Sequence, residues 1–416
     1  MDVVARLAGR ARALTPSPIR ELVPLMRLPG MISFGGGYPN PETFAFAALR
    51  AEFKVGGGLA LSGDAMDGAC QYGPTGGQPG LVPKLMEWHC AKDGVSLNPE
   101  QLIVLNGAQE GLHIMAYLFL EPDDSVAISE PAYPGALGAF RAFTTKFLPV
   151  PVDSGGTITI ALENMLRTCL EKGGRLPKFI YENPSGHNPA GTTLTMERRE
   201  HLLAIASRFD LIILEDDPYQ LLRLEGQAPA PSLQSLDRDG RVVRLDSFSK
   251  IFAPGMRIGY ASGPESILKY FHLYKQGTNL HTSSLIQALL AGFLEARGVP
   301  AFRSLIAANC ELYRRNRDAM VAAAGRHLPG DVTCTVPADG MFLWFRLPAG
   351  FDASRMVAKD GRDLGILMVP GAAFSTTGGL GNHMRASFSM VSIEQIEEGM
   401  KRFAVMIDRE RQRLSS

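Results

Sequence analysis

The residues of this chain best suited to chemistry are gathered in a few short segments. Asp246-Ser247-Phe248-Ser249-Lys250 places a single lysine among hydroxyls and apolar side chains, and Arg257 follows seven residues later. A lysine kept out of bulk water has a lowered pKa and can act as a nucleophile that forms a Schiff base with a carbonyl. A lone lysine is more often a solvated side chain, but Phe248, Ile251, Phe252 and Ala253 around Lys250 argue against that here. A second segment, Glu215-Asp216-Asp217-Pro218-Tyr219, puts three acids directly after the apolar run Leu211–Leu214. A third, Leu105-Asn106-Gly107-Ala108-Gln109-Glu110-Gly111, reads as a strand-to-helix turn whose free backbone N–H groups could cradle a phosphate. By itself this turn is a weak signal, because Gly107 and Gly111 could equally serve turning and packing. It is neither G-x-G-x-x-G nor a Walker loop.

These segments need a scaffold that presents them together. From about Gln101 to Gly263, short β-branched runs alternate with helical stretches, the pattern of a mainly parallel sheet covered on both faces. Strands are predicted at 102–105, 125–128, 179–181, 211–214 and 242–245, and helices at 109–120, 162–172 and 196–208. Open sheets of this kind bind ligands at strand ends, where the segments above lie. Helical patterns near 284–296 and 302–327 change the rhythm, and the strands and helices after them predict a smaller α+β domain.

Composition narrows the partners. The chain has 416 residues, 42 Lys+Arg against 42 Asp+Glu, and 45% hydrophobic residues. This balance speaks against nucleic acid and against a polybasic membrane surface, leaving small molecules as the expected partners. The longest nearly unbroken apolar run, Leu112–Leu120, is too short to span a bilayer, so no transmembrane helix is expected. Cys70, Cys90, Cys169, Cys310 and Cys334 show no C-x-x-C and no metal-ligand spacing. Reduced structural thiols in a cytoplasmic setting, with no metal site, are the expectation. Arg6, Arg10 and Arg12 could hint at a transit peptide, but Asp2 and Pro16 favour a docked N-terminal helix.

Taken together, the motifs resemble the pyridoxal-phosphate-dependent aminotransferases of class I/II, fold type I, and within them the kynurenine/2-aminoadipate aminotransferase-like branch. The likeness runs from Ser17-Pro18-Ile19-Arg20 and Gly36-Gly37-Tyr38-Pro39 through Gln71-Tyr72-Gly73-Pro74 to Arg385-Ala386-Ser387-Phe388-Ser389. It is most specific at Asn188-Pro189-Ala190-Gly191, Asp216-Asp217-Pro218-Tyr219 and Ser247-Phe248-Ser249-Lys250 with Arg257. The resemblance implies an α/β fold: a large domain, 45–299, with a mainly parallel seven-stranded sheet between helices, and a smaller α+β domain formed by 1–44 and 300–416.

It also implies roles. Lys250 would bind pyridoxal 5'-phosphate covalently and shuttle a proton, and Asp216 would keep the pyridine nitrogen protonated. Asn188 and Tyr219 would hydrogen-bond the ring's 3'-oxygen, and Tyr133 would stack on the ring. Ala108, Gln109, Ser247, Ser249 and Arg257 would hold the phosphate, joined by Tyr72 from the other subunit of a homodimer. Arg385 would clamp the substrate α-carboxylate, Gly37 would leave room for the substrate, and Arg20 would meet acidic side chains. The implied reaction is ping-pong transfer of an amino group from an L-amino acid to a 2-oxo acid, with glutamate and 2-oxoglutarate as one pair. Ala108 and Ala190 depart from the serine and threonine common in relatives.

Three other readings compete with this one. Ser247-x-x-Lys250 with Tyr181-x-Asn183 matches motifs of penicillin-binding serine hydrolases, but in reversed order. A regulator-type effector domain would need a basic winged helix ahead of the fold, and the likeness already begins near residue 17. A lyase, racemase or decarboxylase on the same fold stays open, because fold does not set the reaction.

Overall fold

A computed structural model of the chain describes residues 1–22, 30, 32, 37–54, 57–226 and 228–416. Gly36 lies outside these residues. The chain forms two compact units: Met1–Glu121 with Pro231–Ile306, and Pro122–Ala230 with Ala307–Ser416. These units follow the density of packing; the limits 44/45 and 299/300 come from the family likeness and are a separate partition.

In the first unit the arginine-bearing N-terminus is docked. Asp2 caps the helix Val3–Arg6, Leu7 and Ala11 are buried, and the Ala8 N–H donates to the Leu118 carbonyl at 2.7 Å. Arg10 Nη1 donates to the carbonyls of Leu120, at 2.7 Å, and Tyr117, at 3.2 Å. The strand Leu102–Leu105, apolar throughout and fully buried, pairs antiparallel with Gly259–Ser262, which pairs antiparallel with Val242–Ser247. Gly259 faces both Leu105 and Ser247 in this register, so the strand ends carrying the Asn106 turn and the Lys250 segment lie one strand apart. A Cβ on Gly259 would come 2.4 Å from the Asp246 carbonyl oxygen, which explains the glycine.

Aromatic packing anchors the lysine segment. Phe248 stacks on Phe302 at 5.8 Å, and Phe252 meets Phe293 edge-on at 4.9 Å, so both neighbours of the lysine turn are tied into the core. Behind the strand Val242–Ser247, Lys92 and Arg244 pair with Asp93 and Asp246 beside buried His89. His89, Asp93 and Asp246 are close enough to ligate a metal, a grouping that sequence spacing did not reveal. Lys92 Nζ, 3.1 Å from Asp246, and Arg244 Nε, 3.0 Å from it, already supply the cationic partners.

The helical stretch Ser284–His327 is long and apolar enough to cross a membrane by length and composition. It is nevertheless interrupted at Gly298 (φ 66°, ψ 179°), with Pro300 close behind, as the two separate sequence patterns anticipated. The 14 residues before the break rise only about 21 Å, short of the roughly 30 Å of a bilayer core. Separately, an antiparallel hairpin, Ala48–Phe53 with Gly57–Ser62, had not been predicted.

In the second unit Ile212–Asp216, Phe179–Glu182, Ser125–Glu130 and Lys146–Asp153 run parallel in that order, and the short Gly156–Thr157 arm closes the edge antiparallel. The large mixed sheet therefore counts eight strands where seven were expected, the additional one being this arm. A four-stranded antiparallel sheet orders Thr333–Cys334, Phe342–Arg346, His383–Ser387 and Val369–Pro370, with Arg385 opposite Trp344 and Val369. The last helix, Ile393–Ser415, opens on a Ser392/Gln395 capping box and buries Ile396, Met400, Phe403 and Ile407.

Candidate active site

In the first unit, the strand Val242–Ser247 delivers the lysine turn. Ser249 N–H donates to Ser247 Oγ at 3.2 Å, and Arg257 folds back in a left-handed conformation (φ 49°). Its Nη1 donates to Ser249 Oγ at 3.3 Å and to the Pro254 carbonyl at 3.1 Å, while Nη2 reaches the Asn106 carbonyl at 3.4 Å. Gly107 (φ 83°) starts the helix Ala108–Phe119 with no side-chain cap, so the first N–H groups of that helix are not used by a capping side chain. Ser247, Ser249, Arg257 and the Ala108 turn are thus joined by direct contacts, and Lys250 is half-buried beside them.

This donor set suits a phosphate: a fixed guanidinium, two hydroxyls and backbone N–H groups at a helix start. The cradle is also sterically tight, since a Cβ on Gly107 would sit 2.7 Å from Arg257 Nη2. Gly107→Ala is therefore expected to weaken pyridoxal phosphate binding by about tenfold or more, through backbone strain of ~1–3 kcal/mol and displacement of Arg257. Titration of the apoprotein with the cofactor checks this, and an unchanged dissociation constant would remove Gly107 from the cradle.

The second unit holds the acid and the phenols. Asp216 is buried at the end of its strand; Tyr181 donates its hydroxyl to Asp216 Oδ2 at 2.9 Å, and Asn183 Nδ2 donates to the Asp216 carbonyl at 2.6 Å. Asp217 instead accepts from the Ser185 hydroxyl at 2.9 Å. Burial first, then the Asp216 charge, pushes the Tyr181 hydroxyl well above the ordinary phenol pKa. Asn188 is fixed by its N–H donating to Asn183 Oδ1 at 2.8 Å, and its own Oδ1 accepts from Arg385 Nη1 at 2.7 Å. Tyr219 is pushed upward by burial, then by Tyr133 and Asp216, so it stays a neutral donor at physiological pH.

Arg385 lies between two rings, its guanidinium carbon 4.2 Å from the Phe342 centroid and 5.1 Å from that of Phe374. Phe342 also meets Tyr219 edge-on at 5.8 Å. The buried Arg385 Nε has no hydrogen-bond partner among the described residues. Tyr133 begins the helix Pro134–Arg141, and its ring lies where a Cβ on Gly135 would fall, 2.4 Å away. The loop before it is pinned by Ala132 N–H to the Phe374 carbonyl at 2.8 Å.

Within each unit, then, the residues singled out from the sequence meet: Asp216, Asn188, Tyr219, Tyr133 and Arg385 in one, Ser247, Ser249, Arg257 and Ala108 in the other. Also in the first unit, Arg20 Nη1 donates to the Gly73 carbonyl at 2.9 Å, and half-exposed Tyr72 meets Tyr38 and His281 edge-on. A Cβ on Gly37 meets nothing within 4 Å. Sequence reasoning missed Tyr181 and Asn183 as partners of Asp216. The Tyr-x-Asn spacing carries no pointer to Asp216; it offers only the hydrolase likeness set aside above for its reversed order. Phe342 and Phe374 gave no signal beyond ordinary core aromatics.

The model of the family aminotransferase class I and II matches residues 47–403. Aminotransferase tdiD of Emericella nidulans is 36% identical over 421 residues, covering 98% of this chain and 96% of that protein. A solved Pyrococcus horikoshii kynurenine aminotransferase, in complex with PMP, is 32% identical with a TM-score of 0.79 and covers 98% of each chain. LysN, the α-aminoadipate aminotransferase of Thermus thermophilus, solved with N-(5'-phosphopyridoxyl)-L-leucine, is 32% identical with a TM-score of 0.76 and covers 84% of this chain and 86% of its own. With the phosphate cradle and the buried acid in place, the chain belongs to the class I and II aminotransferases, fold-type-I enzymes that transfer amino groups with pyridoxal 5'-phosphate.

Proposed function

We propose that this transaminase runs a ping-pong reaction in which glutamate and 2-oxoglutarate form one substrate pair. The observation that carries amino-acid and 2-oxo-acid substrates is the Arg385 clamp, a guanidinium held between two rings and against Asn188 Oδ1, with Nε left for the α-carboxylate that both share. The acidic pair rests on Arg20. Bound pyridoxal phosphate supplies a carbonyl for the substrate amine and a ring that accepts electrons from Cα. Lys250 Nζ would hold the cofactor and would be the amine placed to carry the proton leaving the substrate Cα. The Asp216 carboxylate keeps the proton on the ring nitrogen, oriented by the Tyr181 hydroxyl. Asn188 and Tyr219 would hydrogen-bond the ring's 3'-oxygen, and Tyr133 would stack on the ring. Ser247, Ser249, Arg257 and the Ala108 and Gln109 N–H groups would hold the phosphate. Gly37 leaves space for the substrate.

The functional form in this reading is a homodimer in which Tyr72 reaches the phosphate of the second copy. Support comes from the exposed Tyr72 and Phe46 beside an open cavity of about 550 Å³ lined also by Phe44, His281 and Leu285. A cytoplasmic setting is supported by five free cysteines and the even charge balance.

Arg20 reads acidic side chains in this proposal, because it stands on the Gly73 carbonyl beside Tyr72. Arg20→Ala is expected to lower kcat/KM for glutamate about tenfold more than for leucine, the worth of one charge-assisted contact. Steady-state assays of both donors against 2-oxoglutarate measure this. Equal losses would remove Arg20 from specificity, and a donor panel in which glutamate is inert would overturn the pair.

A further inference from the structure

The turn Asn106–Gly107–Ala108 is held from two sides. Arg257 Nη2 grips its Asn106 carbonyl, and the Asn106 N–H donates to Glu110 Oε2 at 2.6 Å. Glu110 is the third residue of the helix that the turn opens, so its carboxylate reaches back over the turn much as in a capping box. A carboxylate there is costly on two counts. It is largely withdrawn from water, and its charge opposes an anion at the same helix start.

Lys275 offsets both. Its Nζ lies 2.9 Å and 3.0 Å from the two Glu110 oxygens, and the lysine side chain is fully buried. Asn279 Nδ2 also donates to Glu110 Oε1, and Thr282 Oγ1 stands 3.5 Å from Nζ while itself donating to the Val104 carbonyl at 3.2 Å. A buried lysine with its ammonium seated squarely on a carboxylate is held on the strand-to-helix junction, far from any role as a solvated side chain. Burial lowers its pKa, and the Glu110 carboxylate opposes that shift only in part.

We propose that Glu110 and Lys275 are a positioning pair that sets the cofactor's phosphate affinity. The carboxylate holds the Asn106 turn in shape, and the buried ammonium cancels the negative charge that would otherwise repel the phosphate. Neither residue touches the cofactor; both act through the turn. The proposal rests on the cofactor assignment above.

Apoprotein is titrated with pyridoxal phosphate and with pyridoxal, which lacks the phosphate, and the ratio of the two dissociation constants is read alongside the melting temperature of the apoprotein. Lys275→Met is expected to raise the pyridoxal phosphate constant at least tenfold and leave that for pyridoxal within about threefold. Lys275→Met with Glu110→Gln restores the acceptor without the charge, and should bring the ratio back to within about threefold of wild type even where the melting temperature stays low. Lys275→Met with Glu110→Ala, neutral but without an acceptor, should remain weak. Should Lys275→Met fail to fold, the two double variants still compare acceptor against no acceptor. A ratio unchanged in every variant, or equal ratios in the two double variants, overturns the proposal. A wild-type protein that takes up neither compound would instead strike the cofactor assignment itself.

Discussion

Replacing Lys250 with alanine is expected to lower amino-group transfer by at least about 10²–10⁴-fold, the contribution of one positioned proton carrier. The loss should exceed that range if covalent attachment of the cofactor also matters to turnover. Three observations set the expectation: the half-buried lysine follows a buried strand, its turn is locked by Phe248 and Phe252, and its hydroxyl neighbours are tied to Arg257. Single-turnover conversion of the loaded protein with glutamate measures the loss. Borohydride treatment followed by peptide mass analysis should mark Lys250 in the wild type and nothing in the variant. A variant that transfers at the wild-type rate, or a label on another lysine, would show that a different amine does the work.

Asp216→Asn should cost nearly as much, because asparagine keeps an acceptor for the Tyr181 hydroxyl while removing the charge. A charge left alone in a buried pair costs about 3–5 kcal/mol, which corresponds to about 10²- to 10⁴-fold in kcat/KM. Asp217→Asn is the control, since its carboxylate accepts from Ser185 and not from Tyr181. Half-reaction kinetics of the two variants distinguish them; similar losses in both would mean that the charge of Asp216 has no special task.

Contiguous signals were the legible ones. The buried runs Leu102–Leu105 and Ile212–Asp216 are short, β-branched and followed by their functional residues, so periodicity and motif pointed to one place. Lys146–Asp153 escaped because Pro149 and Pro151 argue against a strand. Two residues apart, both prolines leave their missing N–H on the same side of the strand, which lets it keep its parallel pairing with Ser125–Glu130. The hairpin at 48–62 is built of Ala, Leu, Glu and Gly, whose strand propensity is poor, and it is only half-buried. Gly259–Ser262 gives no strand signal because it falls inside the motif around Arg257 and three of its four residues are Gly, Ala and Ser, which are not β-branched or aromatic. Contacts across long stretches were beyond local reading altogether. Glu110 and Lys275 are separated by 165 residues and Asn188 and Arg385 by 197, and no spacing rule connects such pairs.

The docked N-terminus has an electrical consequence. Arg10 sits on the carbonyls that end the helix Ala108–Phe119, whose other end opens at the phosphate turn. The aligned peptide dipoles of a helix place about half a positive charge at its start and half a negative charge at its close. A cation at the close and an anion at the start therefore stabilise the same polarised element from opposite poles, each by ~0.3–1 kcal/mol. The first dozen residues of the chain thus help to fix the helix that opens at the Gly107 turn, with the Glu121 carboxylate, 2.9 Å from Arg10 Nη2, offsetting part of the cation's charge.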